Sequence, residues 1–305
     1  MANKLPKTLY HYCNVNTFFN IIETNSIWLS DIEKSNDTLE LSYIKKEYSK
    51  YLPMACYAFA DYHKQNNMAY ESIRLDALLQ VMNELQDFNV IKVWAFCLSE
   101  KGDLLSQWRG YADDGDGISL GFKASTLNEI VESLCEVTQE KESALFLEKI
   151  NYSEKQMTEM LKTTINIDEC AQCKTARILQ EKLVEAISKI ETIAPCYKSP
   201  SFKEEKEWRI IFESIINPTC DYMKINESID SAKIGNFSYR ANNENLISHF
   251  ELKFVDLKKA VHKIILGPKC KISIDEMKCY LISKGLLKSI DDKSILIETS
   301  CSSYR

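Results

Sequence analysis

The run Val90–Ser99 (VIKVWAFCLS) constrains the fold more than any other stretch of the chain. It is rich in β-branched and aromatic residues and apolar at odd and even positions alike, so a strand built from it has no face for water. Such a strand belongs in the middle of a covered sheet. Seven further runs also read as strands: Thr8–Tyr12, Ser26–Ser30, Gly117–Phe122, Glu207–Ser214, Ser248–Leu257, Val261–Gly267 and Ser294–Thr299.

Between them the apolar period lengthens to that of a helix. Asn16 is placed to cap a helix whose apolar face is Phe18, Phe19, Ile21 and Ile22. Asp37–Lys64, Met68–Phe88 and Ile274–Lys284 continue the helical pattern, and Ala171–Ile193 puts Ala176, Leu179, Leu183, Ile187 and Ile190 on one face. The expected fold class is α+β, with a central mixed or antiparallel sheet, flanking helices, and a helical insert at about 125–195 in a single domain spanning 1–305.

Composition removes several function classes. A formal net charge of −6 argues against a uniformly basic nucleic-acid surface. The N-terminal stretch has no apolar signal-peptide core, and no apolar run reaches the ~20 residues that cross a bilayer, so the expectation is a cytoplasmic protein with no membrane partner. The eleven cysteines are scattered singly except for Cys170 and Cys173. With an odd count and no secretory signal they read as small hydrophobes rather than a disulfide framework. The single Cys-Ala-Gln-Cys has no second ligand pair to complete a zinc site, so no metal is expected. Asp113–Gly117 (DDGDG) lacks the ligand spacing of a calcium loop and reads as a polar turn. No phosphate loop, dinucleotide fingerprint, zincin motif or nucleophile elbow is present.

Four polar-aromatic segments remain as candidates for chemistry. His11, between Tyr10 and Tyr12, reads either as a ligand-facing imidazole at a cleft edge or as a buried histidine held by a main-chain carbonyl. Asn36–Glu40 (NDTLE) fits a helix capping box, or a site in which Asn36 and Glu40 meet an anionic ligand at a helix start. Ser106–Tyr111 (SQWRGY) places Trp108, Arg109 and Tyr111 in a loop between two core strands. There the guanidinium can grip phosphate and the rings can stack on a base, or the rings can plug the sheet edge. Glu207-Trp208-Arg209 opens a strand, and the alternation puts Glu207 and Arg209 on one face; that face is either a polar site or an ion pair. The preceding Glu204 and Glu205 read as a solvated charge run.

Taken in order, LYHY, SIWLSDIEKSNDTLE, VWAFCLSE, LLSQWRGYADDGDGISLGF, FKEEKEWRIIF and VHKIILGPK resemble a widespread bacterial domain-of-unknown-function family, the one numbered twenty-nine seventy-one. The chain departs from that family's usual pattern at Gln107 and Arg109-Gly110. The layout of the segments is in turn similar to the ADP-ribosyltransferase superfamily. What the resemblance implies is a split sheet that binds NAD, as substrate, in a cleft. It also implies a role in phage defence or a toxin-type system. On this reading Glu207 and His11 are the catalytic pair: His11 holds the nicotinamide-side ribose or amide, and Glu207 stabilises the ribose cation as nicotinamide leaves. Tyr12 or Tyr111 stacks on the ring, Arg109 grips the pyrophosphate, and Ser30, Asn36, Trp108 and Arg209 complete the cofactor site. The acceptor of ADP-ribose is a nucleic acid or a protein, and the oligomeric state stays open. Two other readings stand beside it: a non-catalytic nucleotide- or nucleic-acid-binding module, and a metal-dependent nuclease using Asp37, Glu40 and Glu207.

Overall fold

The computed structural model describes residues 4–34, 40–66, 91–139, 143–215, 234–242, 245–254 and 256–304. Its strongest strand is the expected one. β3 (Ile91–Ser99) pairs antiparallel with β6 (Glu207–Ile215) along its whole length, from Ile91 opposite Ile215 to Ser99 opposite Glu207. That pairing fills one edge of β3.

The other edge of β3 is shared by two strands. β2 (Ser26–Asp31) pairs at Trp94 and Ala95, and β1 (Thr8–Cys13) pairs only where Tyr10 meets Ser99. Between these contacts no described strand pairs with Phe96, Cys97 or Leu98 on that side. The sheet therefore forks. From β1 it continues through β4 (Ile118–Lys123) and β9 (Val261–Leu266) to β10 (Leu296–Thr299). From β2 it continues through β8 (Asn245–Lys253) to β7 (Ile234–Asn242). β10 runs parallel to β9 and the other pairs are antiparallel, so the sheet is mixed.

The fork is bridged by α1 (Val15–Thr24), which joins β1 to β2. Asn14, not Asn16, caps it, its side chain accepting from Thr17 N at 2.8 Å. Asn25 ends the helix in the left-handed region (φ 54°), which asparagine tolerates better than most residues. Its amide then bonds Phe254 O and Leu257 N, tying the turn to the end of β8. Phe18, Ile21 and Ile22 enter the main core with Leu9, Leu29, Trp94, Phe96, Leu98, Phe122, Trp208 and Phe212. α5 (Ala124–Gln139) and α9 (Ile274–Ser283) cover the same face, and Ser273 with Glu276 forms a capping box at α9.

A second apolar core is helical. It joins α2 (Glu40–Tyr48) and α3 (Tyr51–Gln65) to α6 (Glu154–Thr164), α7 (Ile167–Ala171) and α8 (Ala176–Ile193). Cys170 and Cys173 are buried in it, and the Cys173 thiol donates to Glu169 O. Among the described residues no helix is long and apolar enough to cross a membrane, and no cluster of His, Cys, Asp and Glu could hold a metal ion.

Three expectations change. The segment Leu105–Tyr111 is a short helix, α4, rather than a loop. The insert at 125–195 is not wholly helical, because β5 (Ser143–Lys149) interrupts it and pairs with β6. The expected helix Asp37–Lys64 is two helices broken after Tyr48. Asn36, Asp37 and the helix expected over Met68–Phe88 lie outside the described residues, so the capping-box reading of Asn36–Glu40 stays an expectation.

Candidate functional site

The fork encloses a pocket of about 100 Å³, smaller than the roughly 300–1,000 Å³ of a site that holds a whole drug-sized ligand. Its floor is Phe96, at the β3 position without a strand partner on the open edge. From β1 comes His11, whose ring stacks on Phe96 with centroids 4.1 Å apart. From β2 come Ser26, Trp28 and Ser30, and from α1 Thr17, Asn20, Ile21 and Thr24. The α1 residues follow the i, i+3, i+4, i+7 stripe that one helix face presents. Arg240, on β7, closes the ring of side chains.

His11 lines the fork pocket and is also held by a main-chain carbonyl. Its Nδ1 lies 2.9 Å from the main-chain oxygen of Cys97. A carbonyl only accepts, so Nδ1 carries the proton. Burial holds the pKa down at about 4, against the main-chain hydrogen bond that raises it and aided by the nearby positive charge of Arg240. The ring is therefore neutral at physiological pH, and Nε2 is an acceptor. A ligand in the fork that offers His11 a donor, such as a hydroxyl or a carboxamide, satisfies it.

Trp28 is stacked on His249 (4.2 Å, 27°), which fixes the indole plane. The Arg240 guanidinium carbon lies 5.9 Å from the centre of the Trp28 ring. Arg240 Nη2 makes a long bond of 3.4 Å to Ser30 Oγ, and its Nε is buried without a partner.

A second cluster lies on the face of β6 opposite the main core. Strand alternation sends Trp208, Ile210 and Phe212 into that core and turns Glu207, Arg209 and Glu213 the other way. Arg209, fully buried, grips Glu207 with Nε to Oε1 at 2.7 Å and Nη2 to Oε2 at 3.0 Å, and donates to Pro195 O at 2.9 Å. Lys198, also buried, reaches Glu207 at 3.2 Å and Glu205 at 2.8 Å. Tyr111 donates to Glu205 at 3.2 Å, and Glu207 N donates to the Tyr152 hydroxyl at 3.1 Å. Burial alone would raise the Glu207 pKa; the charges of Arg209 and Lys198 and bonds from Arg209 and the Cys97 thiol outweigh it and hold it well below the usual range. For Glu205 burial wins, and its pKa is raised despite Lys198. Burial likewise raises the Tyr111 phenol.

Cys97 joins the two halves, its main-chain oxygen held by His11 and its thiol set against Glu207. The expected residues thus divide. His11 and Ser30 come together in the fork, while Tyr111, Glu207 and Arg209 come together in the charged cluster. Glu207 does not line the fork pocket.

Tyr12 and Trp108 are closed to a ligand ring. Trp108 is fully buried with Nε1 donating to Asp103 at 2.6 Å. The Tyr12 hydroxyl donates to Lys101 O at 2.8 Å and accepts from Leu104 N at 2.9 Å. The two rings pack edge to face at 4.9 Å and plug the sheet beneath α4, which replaces the stacking role expected of them. Arg109 is exposed, 5.9 Å from the Tyr304 ring, and is not part of the fork lining.

Glu205, read from sequence as solvated, is 8% exposed and paired. Lys198, Trp28, Arg240 and the polar stripe of α1 were not singled out. Only the stripe had a local signal, since Thr17, Asn20 and Thr24 share a helical spacing.

The fold and site define a class: an α+β protein with a forked mixed sheet, a polar-aromatic pocket in the fork and a buried charge cluster behind it. Residues 107–210 match the model of a protein family of unknown function, DUF2971. The resemblance to that family is shown over this stretch, which holds most of α4 and the charged cluster through Arg209. No curated protein and no solved structure matches the chain.

Proposed function

We propose that the protein is an ADP-ribosyltransferase-like effector. It binds NAD in the fork between β1 and β2, and transfers ADP-ribose to a nucleic-acid or protein acceptor or hydrolyses the dinucleotide. The observation that carries this reading is the fork itself. Opening a sheet between two strands leaves a cleft with an aromatic floor, an indole wall and hydroxyl, amide and imidazole groups around its rim. Such a lining suits a flat ring joined to a sugar phosphate. The Nε2 acceptor of His11 matches a ribose hydroxyl or the carboxamide of nicotinamide.

A second reading, a nucleotide-binding module without turnover, is favoured by one observation. None of the described residues lining the pocket is a carboxylate, and Glu207 is engaged by Arg209 and Lys198. Glycosidic cleavage needs a group that stabilises developing positive charge at the ribose.

One pair of measurements separates them: NAD binding by calorimetry, and nicotinamide release with and without cell extract as a source of acceptors. Binding with release that Glu207→Gln abolishes, in a variant that thermal unfolding shows to be folded, supports the transferase. Binding without release supports the module, and absence of binding overturns both. Because His11 is already neutral, NAD affinity is expected to stay level between about pH 6 and 8. A tenfold change across that interval would contradict a neutral His11.

A further inference from the structure

Other buried or half-buried cations in and beside the sheet sit against a carboxylate: Lys92 on Asp31 at 3.0 Å, Lys198 on Glu205 at 2.8 Å and Arg209 on Glu207 at 2.7 Å. Arg240 is the exception. Among the described residues it has no acidic partner; the one acceptor it reaches is Ser30 Oγ, and its Nε is buried with none. Glu251, opposite Trp28 on the neighbouring strand β8, is engaged elsewhere: it accepts from Ser26 at 2.7 Å and lies 3.9 Å from Lys253. The guanidinium is held over the Trp28 ring rather than released to solvent. A half-buried guanidinium with unused N–H groups is costly unless something supplies an anion. Nothing in the described part of the chain does so.

We infer that Arg240 is the anion receptor of the fork pocket, and that the part of the ligand seated there carries a phosphate or pyrophosphate. A guanidinium presents parallel N–H groups that match two phosphate oxygens. The hydroxyls of Thr17 and Ser30 and the amide of Asn20 line the same pocket and offer further donors for the remaining oxygens. With Trp28 beside the guanidinium and His11 accepting across the pocket, the site selects a phosphorylated nucleoside over the free nucleoside or base. This inference rests on the nucleotide reading of the fork. It also moves the phosphate-gripping role from Arg109 to Arg240.

The test compares two probes that differ only in a 5′-phosphate, nicotinamide mononucleotide and nicotinamide riboside, by calorimetry. The parent protein is expected to bind the mononucleotide at least ~10-fold more tightly. Arg240→Gln should bind both alike, and Arg240→Lys, which keeps the charge without the fork geometry, should retain part of the preference. Thermal unfolding of each variant checks that it is folded. A parent without preference, or a preference that survives in Arg240→Gln, overturns the role of Arg240 and leaves the nucleotide reading standing. If the parent binds neither probe nor NAD, the nucleotide reading falls with it.

Discussion

Replacing Arg209 with methionine is expected to destabilise the protein by about 3–5 kcal/mol, a large share of the roughly 5–15 kcal/mol that holds a typical domain together. The reason is not that the Arg209–Glu207 pair is intrinsically strong. Burying two charges costs nearly as much as their attraction returns, but removing one leaves the other stranded in a medium that cannot solvate it. Arg209 is fully buried and Glu207 is 5% exposed. Lys198 is shared with Glu205, so it does not replace the bidentate grip. An exposed pair such as Arg177 with Glu181, whose side chains are 86% and 62% exposed, is worth at most about 0.5 kcal/mol. The double variant Glu207→Gln/Arg209→Met should recover much of the loss, and urea unfolding of the four-member cycle measures the coupling. Additive losses would show that the cluster is not a unit. The same pairing predicts acid sensitivity. Because the Glu207 pKa is depressed in the fold, its contribution is complete above the unfolded carboxylate value near ~4.3 and is lost as pH falls below it.

Glu213 is expected to act in the opposite direction. It lies on the same face of β6, opposite Val93 and Ala144, beside the apolar cluster of Ile32, Val93, Ala95 and Ile211. Its carboxyl is buried, and Oε1 has no partner. Burial pushes its pKa up to about 8. The folded protein therefore keeps a proton that the unfolded chain releases above ~4.3, and stability drains as pH rises between the two values by about 1.4 kcal/mol per unit. Glu213→Gln cannot release a proton and should be free of this slope. At pH 5 the variant and parent should unfold within about 1 kcal/mol of each other; at pH 8 the variant should be more stable by on the order of 4 kcal/mol. Denaturant titrations at the two pH values decide it, and equal differences at both would refute the raised pKa.

Much of the sheet was legible because buried strands advertise themselves. Val90–Ser99, apolar on both faces, is central, and Glu207–Ser214 pairs with it. β7 gave no such signal: Asn236, Ser238, Arg240 and Asn242 break any apolar pattern, as suits a strand at one end of the sheet order. β5 hid inside a helical context because its residues derive their β character from β6, not from their own run. The charged cluster was half visible. The Glu-x-Arg alternation placed two members on one face, but Glu205 looked solvated and Lys198 carried no signal, because burial of a charge depends on what folds over it. The fork could not be read at all. It follows from where β1 and β2 meet β3, and it brings His11 and Trp28 together with Arg240, more than two hundred residues further along the chain.

That fork is the centre of the account, and its own tryptophan reports on it. Of the four tryptophans, Trp94, Trp108 and Trp208 are buried in cores, and only Trp28 lines the pocket. Titrating the protein with NAD while following tryptophan emission, in parallel with Trp28→Phe, tests occupancy and location together. A saturable change in the parent that is absent from Trp28→Phe is the predicted result. No saturable change in the parent, or the same change in both proteins, would contradict a ligand in the fork.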